Sequence, residues 1–517
     1  MKKLYILLVL MALVYSVSSL YSAAETAPRK PDPSGITTGN ASDVPAAKPN
    51  EPTLTELANQ IGHNKVAINI VWTLITGFLV FFMQAGFAMV ETGLTRAKNA
   101  AHTMAMNLFV YGLGVFGFWM CGFAFMFGGV GGLGTLGGFD GLNQEFTITL
   151  FGHAFGLIGT KGFFLHGVYD VGVFTLFLFQ VVFMDTAATI PTGAMSERWK
   201  FISFTIYGVV VGAIIYPLFG NWVWGGGWLS QLGTNFHLGH GHVDFAGSSV
   251  VHMTGGVIAL VGAWILGPRI GKYNRDKSPN AIPGHNIPMA VVGAIILAFG
   301  WFGFNPGSTL AGGDLRISVV AVNTLIASIM GAIAATLWMW IFRSKKPDPT
   351  MMVNGLLAGL VAITAPCAFV NVQCAGLIGL ISGILAVEGA FFVERKLRVD
   401  DPVGAVAVHG INGAWGCLAL GLFADGTYGD GWNGVAGTVK GLFYGDGSQF
   451  TAELIGVVTN FIVIGAVSYI IFKLIGAGVG NRVSAKTEMD GLDIPEMGVE
   501  GYAGIKLDKA SETPLSR

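Results

Sequence analysis

The chain has 517 residues, of which 52% are hydrophobic and only 11% are charged, whereas soluble proteins carry about 25% charged residues. This balance excludes an ordinary soluble domain and predicts a polytopic membrane protein. A formal net charge of −1 argues against a nucleic-acid partner. The 4 cysteines lie in or beside apolar runs, so we expect buried free thiols and no disulfide framework.

The first residues have the form of a secretory signal. Two lysines precede an apolar stretch from Leu4 to about Val17, and small residues near Ala24 offer a cleavage site. The stretch is too short for a convincing transmembrane helix. We therefore predict a signal peptide at 1–24, followed at 25–60 by a flexible exported arm rich in Pro, Ala, Ser and Asn.

Beyond the arm, the chain contains eleven apolar runs, each near the roughly 20 residues that a helix needs to cross a bilayer. They define a membrane domain at 61–479, which a polar tail follows at 480–517. We predict membrane helices at about Ala67–Val90, Ala101–Phe127, Val171–Ile190, Phe201–Trp222, Phe245–Leu266, Ile287–Phe304, Ile317–Phe342, Met352–Val370, Ala375–Phe392, Val403–Phe423 and Leu454–Ile475.

Every second loop is basic, starting with Arg96 and Lys98 after the first predicted helix. The alternate loops hold only Lys161, Arg316 and Lys440. Because loops rich in Lys and Arg stay in the cytoplasm, this pattern predicts a cell (inner) membrane protein with its N-terminus outside and its C-terminus inside. An odd number of helices fits an all-α, five-plus-five inverted repeat with one extra helix.

Two outer loops carry further expectations. The loop at 128–169 is rich in glycine and phenylalanine, and we predict a short packed helix around His153–Leu165. The next outer loop holds His237, His240 and His242. These three histidines could bind a metal, but we expect a solvated loop.

A motif that occurs twice supports an internal repeat. Asp244 precedes His252, and Asp401 precedes His409, with seven residues between the acid and the imidazole in both copies. A glycine stands four positions after each histidine. The two copies open the fifth and the tenth apolar runs, which would begin on opposite faces of the membrane, so the site would lie where the two halves meet.

Both histidines lie about two helical turns inside an apolar run. Ionisable groups inside a bilayer are costly and usually functional, although a core histidine bonded to backbone is the alternative. Two neutral imidazoles sharing a hydrogen bond could carry a proton, or a small polar molecule, through an apolar lumen. A zinc pair is poorly supported, since no Cys or carboxylate is spaced to complete its ligand shell.

The two aspartates are too far along the chain to orient those histidines, because eight helical residues cover about 12 Å. A carboxylate at a helix start accepts the free backbone N–H groups, so we expect Asp244 and Asp401 to cap their helices. Asp244, on the outer side, would also lend negative potential to a cation entrance.

Aromatic residues cluster at the predicted outer ends of the helices, where a membrane-interface belt alone would place them. The clusters include Phe179, Phe183, Trp224, Trp301 and Phe304. The functional alternative is a cation–π cup that attracts a small cation. Composition alone leaves both interpretations open.

Longer motifs combine these residues: Asp-Phe-Ala-Gly from Asp244, Trp-Phe-Gly-Phe-Asn-x-Gly-Ser from Trp301 to Ser308, Phe179-x3-Phe183 and His409-Gly. In family order, from about Trp72 to Tyr502, they resemble the ammonium transporter (Amt) branch of the Amt/Mep/Rh superfamily. The resemblance implies a homotrimer in membrane lipid, with one ammonium-conducting pore in each subunit. It implies no enzymatic activity and no cofactor.

The resemblance also implies roles for the matching residues. Ammonium, with methylammonium as an analogue, would be recruited outside and deprotonated, and ammonia would pass an apolar pore. Trp224 and Ser308 favour the Amt branch, because Rh proteins generally lack both. The recruitment site would consist of Phe179, Trp224 and Ser308, the gate of Phe183 and Phe304, the pore pair of His252 and His409, and the entrance of Asp244 and Trp301.

The tail from Arg482 to Gly498 resembles the family's regulatory segment, which implies a PII-type partner. Met497 stands where that segment often has histidine, and Lys486 and Thr487 make it less acidic.

Two alternatives to ammonium transport remain. An ammonium sensor with little or no conduction ranks lower because the tail is short and has no kinase or cyclase segment. The second alternative is a membrane enzyme that uses the histidines with a metal, but the sequence offers no further ligands to complete such a site.

Overall fold

The computed structural model describes residues 44–131, 133–139 and 141–503. The predicted signal peptide, most of the predicted arm and the last part of the predicted tail lie outside the described residues. The chain divides into two compact units after His63, and the site described below belongs to the second unit, which starts at Asn64.

Helices form most of the described chain. Ten of them, counted over the described residues, are long and apolar enough to cross a membrane, and an eleventh is apolar but shorter. Because a helix satisfies its own backbone N–H and C=O groups, it suits a hydrocarbon environment. The predicted all-α membrane class is therefore confirmed. In chain order the helices are α1 Leu54–Leu94, α2 Ala97–Phe127, α3 Val171–Met195, α4 Phe201–Trp224, α5 Ser248–Leu266, α6 Ile287–Thr309, α7 Ile317–Arg343, α8 Pro349–Ile363 (the short one), α9 Val372–Leu397, α10 Val406–Phe423 and α11 Gly447–Val479.

Each of the eleven predicted runs overlaps one of these helices, and the main differences lie at their ends. Helix α1 begins at Leu54 rather than near Ala67, and α8 ends at Ile363 rather than near Val370. The early end of α8 follows from Pro366, which has no N–H and disfavours helical geometry in the preceding residue. The number of membrane crossings and the orientation of the termini stay predictions.

The helix predicted around His153–Leu165 is wrong, because a β-hairpin occupies this loop. Strand β1, Glu145–Leu150, pairs antiparallel with β2, His153–Gly159. Three consecutive β-branched residues in β1 favour a strand. The chain reverses at Phe151 and Gly152, whose φ values are 54° and 80°.

Helices α5 and α10 cross at positions occupied by glycine, which has no side chain to keep the backbones apart. A Cβ on Gly256 would overlap the backbone of Gly410, and a Cβ on Gly413 would overlap the backbone of Ser248 and Met253. Small residues let helix backbones approach closely and gain van der Waals contact. The glycine four positions after each histidine is thus a packing residue that holds the two copies of the motif together.

Buried ion pairs connect the loops at the end of the bundle that carries the basic residues, called the basic end below. Arg269 contacts Glu197 at 2.9 Å and Asp400 at 2.8 Å, and Arg96 also contacts Glu197. Burial by itself would raise the pKa of Asp400, but the charges of Arg269 and Arg198 hold that pKa well below its ordinary value. The cluster therefore stays ionised at neutral pH.

The described part of the tail lies against the same basic end. The Lys98 ammonium donates to the carbonyl of Glu488 at 3.0 Å, and the Asp493 carboxylate accepts from the backbone N–H of His102 at 2.9 Å. The Glu488 carboxylate accepts from the backbone N–H of Ile270 at 2.7 Å. The tail is thus attached both to the start of α2 and to the loop after α5.

Candidate functional site

A cavity of about 210 Å³ opens at the end of the bundle opposite the basic end. Phe179, Trp224 and Ser308, the three residues that the resemblance assigns to cation recruitment, all line it. Phe183 and Asp244 form further parts of its wall. The structure therefore brings together residues from α3, α4, α6 and the loop before α5.

Hydrogen bonds fix the polar atoms of this outer cavity. The indole N–H of Trp224 donates to the Asp244 carbonyl at 2.6 Å, which holds the ring. The Ser308 hydroxyl donates to the Phe304 carbonyl at 2.8 Å, so its lone pairs remain acceptors. Aromatic faces with a hydroxyl acceptor suit a small cation that donates hydrogen bonds.

Two stacked rings lie between the outer cavity and the histidines. The ring centroids of Phe183 and Phe304 are 4.1 Å apart with an interplanar angle of 28°, and both side chains are buried. The His252 ring follows at 5.3 Å from Phe304. A hydrated ion could pass this contact only if the rings moved apart.

His252 and His409 face each other beyond the rings. Their Nδ1 atoms are 3.2 Å apart, so one ring donates and the other accepts, which fixes opposite tautomers in the pair. His252 stacks on Trp301 at 5.0 Å, and the Trp301 indole donates to Thr364 Oγ1 at 3.0 Å. The Nε2 atom of His252 is buried without a hydrogen-bond partner among the described residues. It is therefore available to a passing polar molecule.

Each histidine lies on a π-helical turn. His252 belongs to Ser248–Met253 and His409 to Val406–Ile411. Such turns are rare and occur frequently at functional sites, because the extra residue turns a side chain out of the regular helical register. The sequence predicted regular helices here, and residue types gave no signal for the π-turns.

Both aspartates cap their helices as predicted. The two oxygens of Asp244 accept from the backbone N–H groups of 247–250 and from the Ser249 hydroxyl, at 2.7–3.0 Å. Asp401 accepts from amides within 403–406 at 2.8–3.3 Å. Burial raises the pKa of Asp401, while those amides lower it. Neither carboxylate contacts a pore histidine.

The path continues toward the basic end. A small cavity of about 20 Å³ adjoins His409, and a larger one of about 240 Å³ lies at the basic end. Asn354 and Val403 line both, so the two cavities are neighbours. Arg269 and Lys272 line the larger cavity.

Glu91 on α1 is a buried carboxylate that the sequence analysis did not assign to the site. It lines the small cavity beside His409. Its carboxylate accepts from Asn107 and from Thr192, each at 2.7 Å. An acid directly after the first apolar run was the signal that could have identified it.

The expectation of a solvated histidine loop is wrong for two of the three residues. His237 is exposed, but His240 and His242 are buried. The Nδ1 atom of His242 lies 2.7 Å from the carboxylate of Glu453 on α11. The three histidines therefore do not converge on a common site.

The Ammonium Transporter Family matches this chain over residues 71–502. This chain belongs to that family. Ammonium transporter Amt2 of Archaeoglobus fulgidus is 45% identical to it over 455 residues, which are 87% of this chain and 92% of the relative. Ammonium transporter Amt1 of Haloferax mediterranei is 36% identical, over 86% of this chain and 81% of the relative.

Solved structures of Amt and Mep proteins have the same fold. A protein described as a Sensor Amt Protein has a TM-score of 0.73 and 35% identity, over 84% of this chain and 99% of its own. Mep2 of Candida albicans has a TM-score of 0.69 and 25% identity, over 87% and 93%. The resemblance to the Amt branch is confirmed, and the family is one of transporters rather than enzymes.

Proposed function

We propose that this chain transports ammonium across a membrane by binding the cation outside, removing its proton and conducting ammonia. The observation that carries this proposal is the order of sites along one path. The path runs from the outer cavity with Phe179, Trp224 and Ser308, past the Phe183 and Phe304 rings, to His252 and His409.

Selection follows from the cost of moving charge into the apolar path. Potassium and ammonium are similar in size, so the recruitment site alone cannot separate them. Moving an unpaired ion into a low-dielectric interior costs on the order of tens of kcal/mol. Ammonium can avoid this cost by leaving a proton behind, whereas potassium cannot.

The histidine pair supplies polar contacts beyond the apolar rings, on the side away from the outer cavity. Ammonia can accept from or donate to the imidazoles as it passes, and the proton crosses separately through the hydrogen bond between the two Nδ1 atoms. Asp244 supports the entrance by fixing the start of α5 and by placing negative charge beside the cavity.

We also propose a homotrimer in the cell membrane, with the N-terminus outside and the basic end in the cytoplasm. Large exposed apolar side chains on the helices, such as Trp264, Ile295 and Phe299, suit contact with lipid or another subunit. A PII-type protein would bind at the docked tail. The proposal involves no cofactor and no nucleic acid.

Ammonium pulses on purified protein in liposomes test the proposal. The unaltered protein should give an ammonium-evoked current, which the double variant His252→Leu/His409→Leu should lose. His102→Leu is a matched control, because His102 is buried beside Phe201 and outside the path. Full ammonium-selective current in the double variant would rule out the proton path.

The similarity to a Sensor Amt Protein favours a second candidate function, namely ammonium sensing with little or no conduction. Uptake of labelled methylammonium into the same liposomes separates the two functions. A transporter accumulates the label, whereas a pure sensor binds it without flux.

A further inference from the structure

A buried chain of polar groups begins at Asp244 in the wall of the outer cavity and continues to Glu453 on α11. The Ser249 hydroxyl donates to the Asp244 carboxylate at 2.7 Å, and the Nε2 atom of His242 lies 2.9 Å from the same hydroxyl. On the other side of the ring, Nδ1 lies 2.7 Å from the Glu453 carboxylate. His242, Glu453, Ser249 and Asp244 are all buried.

The contacts define where the protons are. A carboxylate can only accept here, so the Ser249 hydroxyl must donate to Asp244, and His242 Nε2 must therefore donate to Ser249. Two lone pairs 2.7 Å apart would repel, so the contact between His242 Nδ1 and Glu453 favours a protonated ring that forms an ion pair with the carboxylate, without an aligned hydrogen bond among the described residues. The other oxygen of Glu453 accepts from the backbone N–H of Val243 at 2.9 Å and from Gln449 at 2.8 Å, which favours glutamate facing imidazolium.

The ion pair of His242 and Glu453 reaches the outer cavity through His242. His242 lines the outer cavity together with Phe179, Trp224 and Asp244. The titratable groups that face it are Glu453 on α11, Cys417 on α10 and Asp244 on its own loop. Burial lowers the pKa of His242, but the Glu453 carboxylate outweighs burial, so this pKa lies above its ordinary value.

We propose that His242 is a pH-responsive positioning residue of the outer cavity, which holds a proton against Glu453 and orients Asp244 through Ser249. With the proton present, the charges of Asp244, His242 and Glu453 sum to about −1, and without it to about −2. Proton loss at alkaline external pH thus strengthens the attraction for a cation. This inference rests on the proposed transport of ammonium, because it concerns the site that recruits the ion.

A metal is a weaker explanation for the same residues. His242, Cys417 and Glu453 place ligand atoms within 4.8 Å of one another. Zinc bonds of about 2.0–2.1 Å at tetrahedral angles would hold a nitrogen and an oxygen ligand about 3.3 Å apart. The observed 2.7 Å between His242 and Glu453 fits an ion pair of imidazolium and carboxylate better.

The test measures the half-saturating ammonium ion concentration for current in liposomes, at external pH values between about 6 and 8.5. In the unaltered protein this concentration should fall about three- to tenfold as the pH rises, because one negative charge is gained near the cation. Glu453→Gln should abolish that dependence, since the amide keeps the contacts at this position but leaves a neutral imidazole. Glu453→Asp, which restores a carboxylate, should recover a pH dependence with a displaced midpoint.

His240→Gln is the matched control. His240 is a buried neighbour whose ring, within the described part of the chain, makes one hydrogen bond, to the Gly437 carbonyl at 2.9 Å, so its loss should leave the pH dependence intact. If Glu453→Gln does not fold, the double variant His242→Gln/Glu453→Gln tests the same neutral state.

Two results would overturn the inference. One is a pH dependence of half-saturation in the neutral variant that equals that of the unaltered protein. The other is stoichiometric zinc in the purified protein that Glu453→Gln removes. Absence of any ammonium current in the unaltered protein would instead contradict the proposed function, so the two failures are distinguishable.

Discussion

Two stacked rings, those of Phe183 and Phe304, separate the outer cavity from the histidine pair. Both rings are buried and their centroids are 4.1 Å apart, so the contact is apolar and closely packed. Such a contact opposes an ion more than it opposes a small neutral molecule, because the ion must give up its hydration. The barrier to charge at this point therefore depends on two side chains.

Replacing Phe304 by Ala should remove this barrier. The space left by one ring would admit water between the outer cavity and His252, and hydrated potassium would then pass. We expect the selectivity for ammonium over potassium to fall by about tenfold or more, since even partial hydration recovers several kcal/mol. Currents under matched ammonium and potassium gradients measure this ratio.

Phe118→Ala is the control for this experiment. Phe118 is a buried ring on α2 that packs on Phe123, Phe177 and Tyr216. Its loss should lower thermal stability without changing selectivity. If potassium stays excluded in Phe304→Ala, the ring stack is not the barrier.

At the scale of elements, the crossing of α5 and α10 determines whether the histidines meet. We expect Gly256→Ala to force the helices apart, because the new Cβ overlaps the backbone of Gly410 and neither backbone can yield easily. Overpacking of this kind costs about 1–3 kcal/mol or more. The melting temperature should fall, and the ammonium current should decline because His252 and His409 separate.

Gly465→Ala provides a matched comparison on α11. A Cβ at Gly465 would lie 3.7 Å from Val257, an ordinary van der Waals distance. Alanine also favours helix over glycine by about 1 kcal/mol. This variant should melt at the same temperature or higher and keep its current. An equal loss in both variants would mean that the crossing has no special role.

Element positions and the histidine pair were the parts that the sequence could predict. Apolar runs of membrane length fix where helices lie, and the repeated spacing of Asp244 and Asp401 to their histidines identified two helices that meet. The hairpin β1–β2 was missed because glycine and phenylalanine content hid a short strand pattern. The burial of His242 was missed because its partner, Glu453, is far away in the sequence.

At the scale of the whole molecule, the two ends of the path have different electrostatic character. The outer cavity combines aromatic faces with the negative charge of Asp244, whereas Arg269 and Lys272 line the cavity at the basic end. Glu394 and Asp401 also line that second cavity, and its two cations are paired with carboxylates, so its charges nearly cancel. The tail covers loops at that same end, so its position can affect the exit.

Glu488→Ala should release the tail from the basic end. Glu488 is buried, accepts from the backbone N–H of Ile270 at 2.7 Å and pairs with Arg482 at 2.8 Å. Removing the carboxylate leaves the buried N–H of Ile270 without its acceptor, which costs about 1–3 kcal/mol. Arg482 loses one partner but keeps the carbonyls of Leu266 and Pro268. We therefore expect amide hydrogen exchange of 484–500 to accelerate by about tenfold or more. Lys486→Ala, which alters an exposed residue two positions before Glu488, should leave exchange unchanged. Equal protection of the tail in Glu488→Ala would show that the other contacts, such as that of Lys98 with the Glu488 carbonyl, are sufficient to hold it.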